Sequence, residues 1–308
     1  MKKQDKYLPA NAVIIALLSL FTVLVLLVPF RFNDPLKTLK DLIITGIISI
    51  TAVILISRIN SKPFRALMQT VFVLAFFSVF FGKTSDFQLI FYNEWQDNKL
   101  LTIEHSILGS ETSLILEKIT TPVLTEVMMF VYIVYIPLLA IVAFVSYKSK
   151  SEDGLGEYLF ILSLGYFFCF IGFMLFPVAS QTYFNPAQYS VSLKGGIFAY
   201  LGELLRNEAH FPGGSLPSPH CTASTIMLFA LNKVNRKLYY FFFPVVLMIY
   251  ISTVYGRYHY IWDGIVGILL AILLIKLLPA FKKITENIFV FFNSLMNSVT
   301  VSGSLSDE

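Results

Sequence analysis

Long apolar runs alternate with short polar ones along this chain. A bilayer core takes about 20 apolar residues in a helix. Eight runs approach that length, at roughly 10–30, 39–57, 64–82, 122–147, 157–177, 219–233, 238–256 and 259–279. The pattern predicts an all-α fold, a polytopic transmembrane helical bundle of about eight spans. The third and sixth runs fit least well, the sixth being short and polar at its start. The first run follows MKKQDKY and ends at Pro29-Phe30-Arg31. It is too long for the apolar core of a signal peptide and lacks a small-residue cleavage site, so a retained helix is expected. Two long loops interrupt the runs, at about 84–121 and 178–217. The first carries Asp86, Glu94, Asp97, Glu104, Glu111 and Glu117 beside Phe87, Phe91, Tyr92 and Trp95, a mixture that suits helices lying along the membrane interface. The second is rich in Gly, Pro and Tyr and holds His210; its frequent aromatics predict order. The chain thus divides into two N-terminal spans (1–60), a membrane core with both long loops (61–280) and a tail (281–308). The tail is expected to begin as an interfacial helix and end in disorder.

Composition supports this reading. The chain is 56% hydrophobic and 14% charged, against about 25% charged in soluble proteins, and its mean hydropathy is +0.72. The formal charge of +4 is carried in short clusters without a basic stripe interleaved with aromatics, which excludes nucleic acid as a partner. With the N-terminus in the cytoplasm, the clusters Lys2/Lys3/Lys6, Arg58/Lys62/Arg65, Lys148/Lys150, Lys233/Arg236/Lys237 and Lys282/Lys283 all fall on the cytoplasmic side. This bias predicts cytoplasmic N- and C-termini and outward-facing long loops. Cys169 and Cys221 form no CxxC pair and read as packing, so no metal or redox cofactor is expected. There is no sequence repeat or pair of broken helices of the kind that marks a transporter.

Chemistry concentrates in two places. In Ser252-Thr-Val-Tyr-Gly-Arg257-Tyr-His259-Tyr-Ile-Trp-Asp263, a histidine and an aspartate stand four apart. On a helix they would share a face. A carboxylate beside an imidazole fixes its tautomer and makes the other nitrogen a better nucleophile or base. Arg257 adds a cation suited to a phosphate. The alternative is a snorkelling cluster at the membrane edge. In Gly213-Gly214-Ser215-Leu216-Pro217-Ser218-Pro219-His220, Ser218 suits a helix N-cap and Pro219 the first turn, so His220 lies where a helix offers free N–H groups and positive potential. The alternative there is an ordinary cap with an incidental histidine. Under the predicted topology both segments fall on one outward face, the arrangement needed for a nucleophile on one side of a phosphorus and an acid on the other. His210, ten residues before His220, is a candidate for substrate contact or a satisfied loop histidine. His105 reads as solvated, and Glu203 and Arg206 as a surface ion pair.

These segments resemble the type 2 phosphatidic acid phosphatase superfamily, whose motifs are KxxxxxxRP, PSGH and SRxxxxxHxxxD. The chain has Pro-Ser-Pro-His at 217–220, and Ser252, His259 and Asp263 at the spacing of the third motif. Thr253 stands where that motif has Arg, and the Ser-Thr opening is similar to the branch containing inositol phosphorylceramide synthase. The first motif is absent; its place is taken by Leu175-Phe-Pro-Val-Ala-Ser-Gln-Thr-Tyr183, without Lys or Arg. The resemblance implies a six-helix phosphatase-like core and a metal-independent enzyme without cofactor that acts on a lipid phosphate in the bilayer. It implies His259 as the nucleophile, Asp263 as its orienting carboxylate and His220 as acid and base. Ser218, Arg257, Arg206 and Ser252 would bind the phosphate, with Lys194 a further cation of the right type. The reaction is that of a lipid phosphatase or a head-group transferase. A catalytically degenerate scaffold of the same fold is the alternative, and a transporter is a more distant one.

Overall fold

The computed structural model describes residues 6–303, and among them every regular element is a helix. In chain order these are α1 (Leu8–Leu27), α2 (Pro35–Ser57), α3 (Lys62–Lys83), α4 (Asp97–Leu108), α5 (Thr112–Glu117), α6 (Pro122–Leu175), α7 (Gln181–Phe184), α8 (Ile197–Ala209), α9 (Pro219–Val234), α10 (Arg236–Tyr255) and α11 (Ile261–Gly303), with three short 3-10 turns between them. Proline stands in the first turn of α1, α2, α3, α6 and α9. There its missing N–H costs nothing and its fixed φ favours the helix. Asp34, Thr121, Ser218 and Asn235 cap α2, α6, α9 and α10 through their side chains.

Six helices are long and apolar enough to cross a membrane: α1, α2, α3, α6, α10 and α11. Helix α6 contributes two antiparallel arms. Its backbone leaves helical geometry at Lys150 and Ser151, where φ is +53° at Ser151. Beyond that break the chain doubles back, so the Tyr135 and Tyr166 hydroxyls meet at 2.6 Å and Tyr158 donates to the Leu139 carbonyl. The expected loop between the fourth and fifth spans is therefore a turn of two residues. With α9 the bundle has eight rods, the number that hydropathy predicts.

Helix α9 has 16 residues, about 24 Å at 1.5 Å per residue, short of a full bilayer core. It is the central rod, packed against both arms of α6, α10 and α11. Small and polar residues let the backbones approach. The Cys169 thiol meets the Thr222 hydroxyl at 3.4 Å, and that hydroxyl donates to the Gly267 carbonyl at 3.0 Å. A central position explains why this run is the least hydropathic: its neighbours are protein rather than lipid.

The bundle's two ends differ. At one end Lys6 pairs with Asp153 at 2.7 Å, Arg65 with Glu152 at 2.5 Å, and Lys233 and Lys282 with Glu157. The other end carries α4, α5, α7 and α8, and there α9 and α11 begin. Here α8 occupies part of what the sequence pattern reads as loop. Its apolar residues Ile197, Tyr200 and Leu204 recur at three- and four-residue spacing and are exposed. Its N-terminal N–H groups are held by the Glu126 carboxylate, with Gly196, Phe198 and Ala199 donating at 2.7–3.0 Å. The start of the tail is a continuation of α11 to Gly303 rather than a separate interfacial helix; residues 304–308, where disorder is expected, lie outside the described residues.

Gly172 shows how close the packing is near the functional end. A Cβ there would stand 2.2 Å from Cδ of Pro217, whereas one on Gly46 would meet nothing within 4 Å. Gly172→Ala is expected to destabilise the protein by about 1–3 kcal/mol through overpacking. Gly46→Ala should be neutral or stabilising by up to about 1 kcal/mol, from its lower unfolded-state entropy. Thermal unfolding in detergent distinguishes them, and equal melting temperatures for the two variants would contradict this packing.

Candidate active site

Helix α10 ends where Tyr258 and His259 both donate their N–H groups to the Thr253 carbonyl, at 3.0 and 3.2 Å. Arg257 takes a positive φ of +64° in this turn. His259 therefore precedes α11, and Asp263 lies in that helix's first turn. The pair does not share a helix face, as four-residue spacing suggests. Instead, Asp263 reaches back toward the turn. Its Oδ2 accepts from the Tyr260 N–H at 2.9 Å and stands 3.3 Å from His259 Nδ1.

Ser215 completes this arrangement, although nothing in its Gly-Gly-Ser loop singles it out. Its hydroxyl lies 2.5 Å from Asp263 Oδ2 and 3.1 Å from His259 Nδ1. A hydroxyl has one proton. Given to the carboxylate, it leaves the Ser215 oxygen to accept from Nδ1–H. The proton on His259 is then fixed on Nδ1, and Nε2 keeps its lone pair. Asp263 is fully buried, and its Oδ1 has no hydrogen-bond partner among the described residues.

His220 is the second residue of α9. Its ring packs against Tyr132 and Tyr135, with centroids 4.7 and 4.5 Å away, and its Nδ1 is buried with no hydrogen-bond partner among the described residues. The His220 and His259 rings are 5.7 Å apart. Both line a cavity of about 420 Å³, together with Tyr132, Tyr258, His210, Ser180, Gly213 and Gly214. Glu208 of α8 also lines it, and Phe77 and Phe81 from α3 with Ile133 and Ile136 from the first arm of α6 form an apolar wall. Ile136 is 57% exposed, so this wall reaches the bundle's outer surface.

The expected phosphate-binding residues are placed differently. Ser218 is fully buried, caps α9 and donates its N–H to the Asp263 carbonyl at 2.9 Å. The Ser252 hydroxyl bonds back to the Ile249 carbonyl inside α10. The Arg257 guanidinium stacks on Tyr189 at 3.8 Å, donates to the Val191 carbonyl at 2.6 Å and faces Glu117 at 3.7 Å. Arg206 packs over the Tyr258 ring at 4.8 Å, donates to the Gly256 carbonyl and pairs with Glu203 at 3.2 Å. None of these four residues, nor Lys194, lines the cavity. The positive φ at residue 257 explains the largest departure, since it turns that side chain away from the cavity. His105 is half exposed, 3.8 Å from Glu111.

The segment that replaces the first motif does reach the site. Asp97, fully buried at the start of α4, accepts from the Ala179 N–H at 2.8 Å, the Ser180 N–H at 3.2 Å and the Tyr260 hydroxyl at 2.9 Å. Burial raises the Asp97 carboxyl from its ordinary value, and the Ala179 and Tyr260 donors oppose that shift.

Residues 98–277 match the PAP2 superfamily. The chain belongs to that superfamily. Membership supports a phosphatase- or phosphotransferase-type lipid enzyme in general, carried on a helical membrane fold. No curated protein and no solved structure matches the chain. The match runs from α4 into α11 and leaves α1, α2 and α3 outside it. The cavity wall contributed by α3 is thus an addition to the matched region.

Removing the Ser215 hydroxyl takes a donor from a buried carboxylate and a restraint from the imidazole. Ser215→Ala is expected to lower kcat about ten- to a hundredfold, with less effect on KM. Asp263→Asn should cost more, since it removes the charge that fixes the tautomer. A Ser215→Ala enzyme with wild-type kcat would show that the bridge is dispensable.

Proposed function

We propose that the chain is an integral membrane enzyme that transfers a phosphoryl or phospho-head group from a lipid phosphate ester through a phosphohistidine on His259. The observation that carries this reading is the pairing of His259, held by Asp263 and Ser215, with His220 across one cavity. In the first step His259 Nε2 forms a bond to phosphorus while the bond to the leaving oxygen breaks, and His220 supplies that oxygen's proton. In the second step His220 takes a proton from the acceptor, whose oxygen bonds to phosphorus as the phosphorus–nitrogen bond breaks. Water as acceptor gives a lipid phosphatase. An alcohol gives a head-group transferase, as the likeness to the inositol phosphorylceramide synthase branch implies. The cycle uses no metal ion. The apolar wall from α3 and α6 supports a lipid substrate, since acyl chains can lie against Phe77, Phe81, Ile133 and Ile136 while the phosphate faces the histidines. The distribution of Lys and Arg supports cytoplasmic termini and a site on the opposite face.

A degenerate scaffold is the second reading, and one observation favours it: no Lys or Arg is among the residues lining the cavity. Assay of the purified chain on a panel of lipid phosphates, with and without alcohol acceptors, separates the two. Turnover is expected. His259→Ala should lose it by about a thousandfold or more while melting like the wild type, and radiolabelled phosphate trapped on the wild-type protein should be missing from this variant. Near-normal turnover in His259→Ala removes the proposed nucleophile; an inert wild type favours the scaffold.

A further inference from the structure

Three of the chain's four histidines line the same cavity. His220 and His259 have roles in the proposed cycle, and His210 does not. Its Nε2 lies 3.4 Å from the Tyr132 hydroxyl, and its ring stacks on Tyr258 with centroids 4.9 Å apart. Tyr258 in turn stacks on Tyr132 at 4.3 Å, and Tyr132 on His220 at 4.7 Å. His210 is thus fixed at the cavity wall by the stack that positions the acid–base histidine. With Nε2 accepting from Tyr132, the proton sits on Nδ1, which has no partner among the described residues.

A phosphate ester brings negative charge into this space, yet none of the lining residues carries a fixed positive charge. The guanidinium groups one layer out are each matched by a carboxylate, Arg206 by Glu203 and Arg257 by Glu117. We propose that His210 is the charge-compensating residue of the site: it takes up a proton from solvent when a tetrahedral oxyanion enters the cavity and donates a hydrogen bond to it. The proton returns to solvent when the anion leaves. This assignment rests on the phosphate-handling reading above.

The surroundings favour a switchable group. The charged and titratable neighbours of His210 are Tyr132 on α6, His220 on α9, Tyr258 and His259 in the turn after α10, and Arg206 and Glu208 on α8. Glu208 is exposed at the cavity mouth, where solvent screens it. Burial foremost, then His259 and Arg206, holds the His210 imidazole down at about 4 in the empty site. An anion within about 4–6 Å favours the charged form and raises that value. Between about 4 and the raised value, the occupied site holds one more proton than the empty one. Anion affinity therefore falls as pH rises through this window, by up to about tenfold per pH unit.

Sulfate is the probe, because its own charge does not change near neutral pH. Calorimetry on the full chain in detergent, in buffers of different ionisation enthalpy, should show sulfate binding coupled to uptake of about one proton and weakening from about pH 5 to 7. His210→Gln should bind sulfate about tenfold more weakly, without the pH slope. His210→Arg should restore binding and keep the profile flat, which separates lost charge from lost folding. A wild-type slope in His210→Gln, or no proton uptake by the wild type, overturns the proposal. Lipid-phosphate turnover measured on the same preparations keeps the two readings apart. Turnover with unaltered linkage in His210→Gln removes only the role of His210. Sulfate linkage without turnover removes the enzyme reading and leaves His210 on a non-catalytic anion site.

Discussion

Asp263 is fully buried, and its side chain and backbone hold different parts of the site. Its Oδ2 gathers the Ser215 hydroxyl, the Tyr260 N–H and the His259 ring, while its backbone carbonyl receives the Ser218 N–H. The segment before α9 is thus fastened to the first turn of α11 at two points three residues apart. Desolvating a carboxylate costs several kcal/mol, and a buried one persists only where donors surround it. Each donor here is also a piece of the site. The loops cannot separate without stranding the charge, so the requirement that stabilises Asp263 also sets the distance between the two histidines and the tautomer of His259.

That fastening needs close support from the helices. Gly172 on the second arm of α6 lies beneath Pro217, and Gly267 on α11 lies beneath Ser218, where a Cβ would stand 2.7 Å from the Ser218 carbonyl oxygen. The segment 216–218 rests on two positions where only hydrogen fits. In a bilayer, water gives helices no hydrophobic drive to associate, so van der Waals contact and interhelical hydrogen bonds carry the packing. The close approach of α9 to its neighbours is therefore what makes the His220 end of that helix rigid. Its short length places His220 within the bundle's functional end, against the tyrosines of α6.

The helical frame was legible because hydropathy is local. Each span could be read from its own residues, as could the two histidines at helix starts. The parts that were not legible depend on contacts distant in sequence. Ser215 gains its meaning from a carboxylate 48 residues later, and Asp97 from a tyrosine 163 residues later. Neither spacing leaves a periodic trace. Arg257 is a different case. It stands two residues from His259 in sequence, but the positive φ of the turn sends the guanidinium to Glu117 and Tyr189. Helix α8 was hidden by a Gly- and Pro-rich neighbourhood, although its exposed apolar residues keep helical spacing.

The position of the cations changes what kind of electrostatics the site can have. A guanidinium in contact with a phosphate supplies a constant charge at any physiological pH. Here the two nearest arginines sit one layer back, and each is opposed by a carboxylate within 4 Å. Two opposite charges that close together act at a distance as a dipole, whose potential falls faster than that of a single ion. In contact with the cavity, the imidazole that the proposed cycle does not use is that of His210. A site built in this way has a net charge that depends on what occupies it. On the proposal made for His210, the empty site holds no permanent cation and gains positive charge as an anion enters. The replacement of fixed cations by titratable ones is then consistent with an anion site whose charge is drawn from solvent protons rather than from permanent side-chain charge.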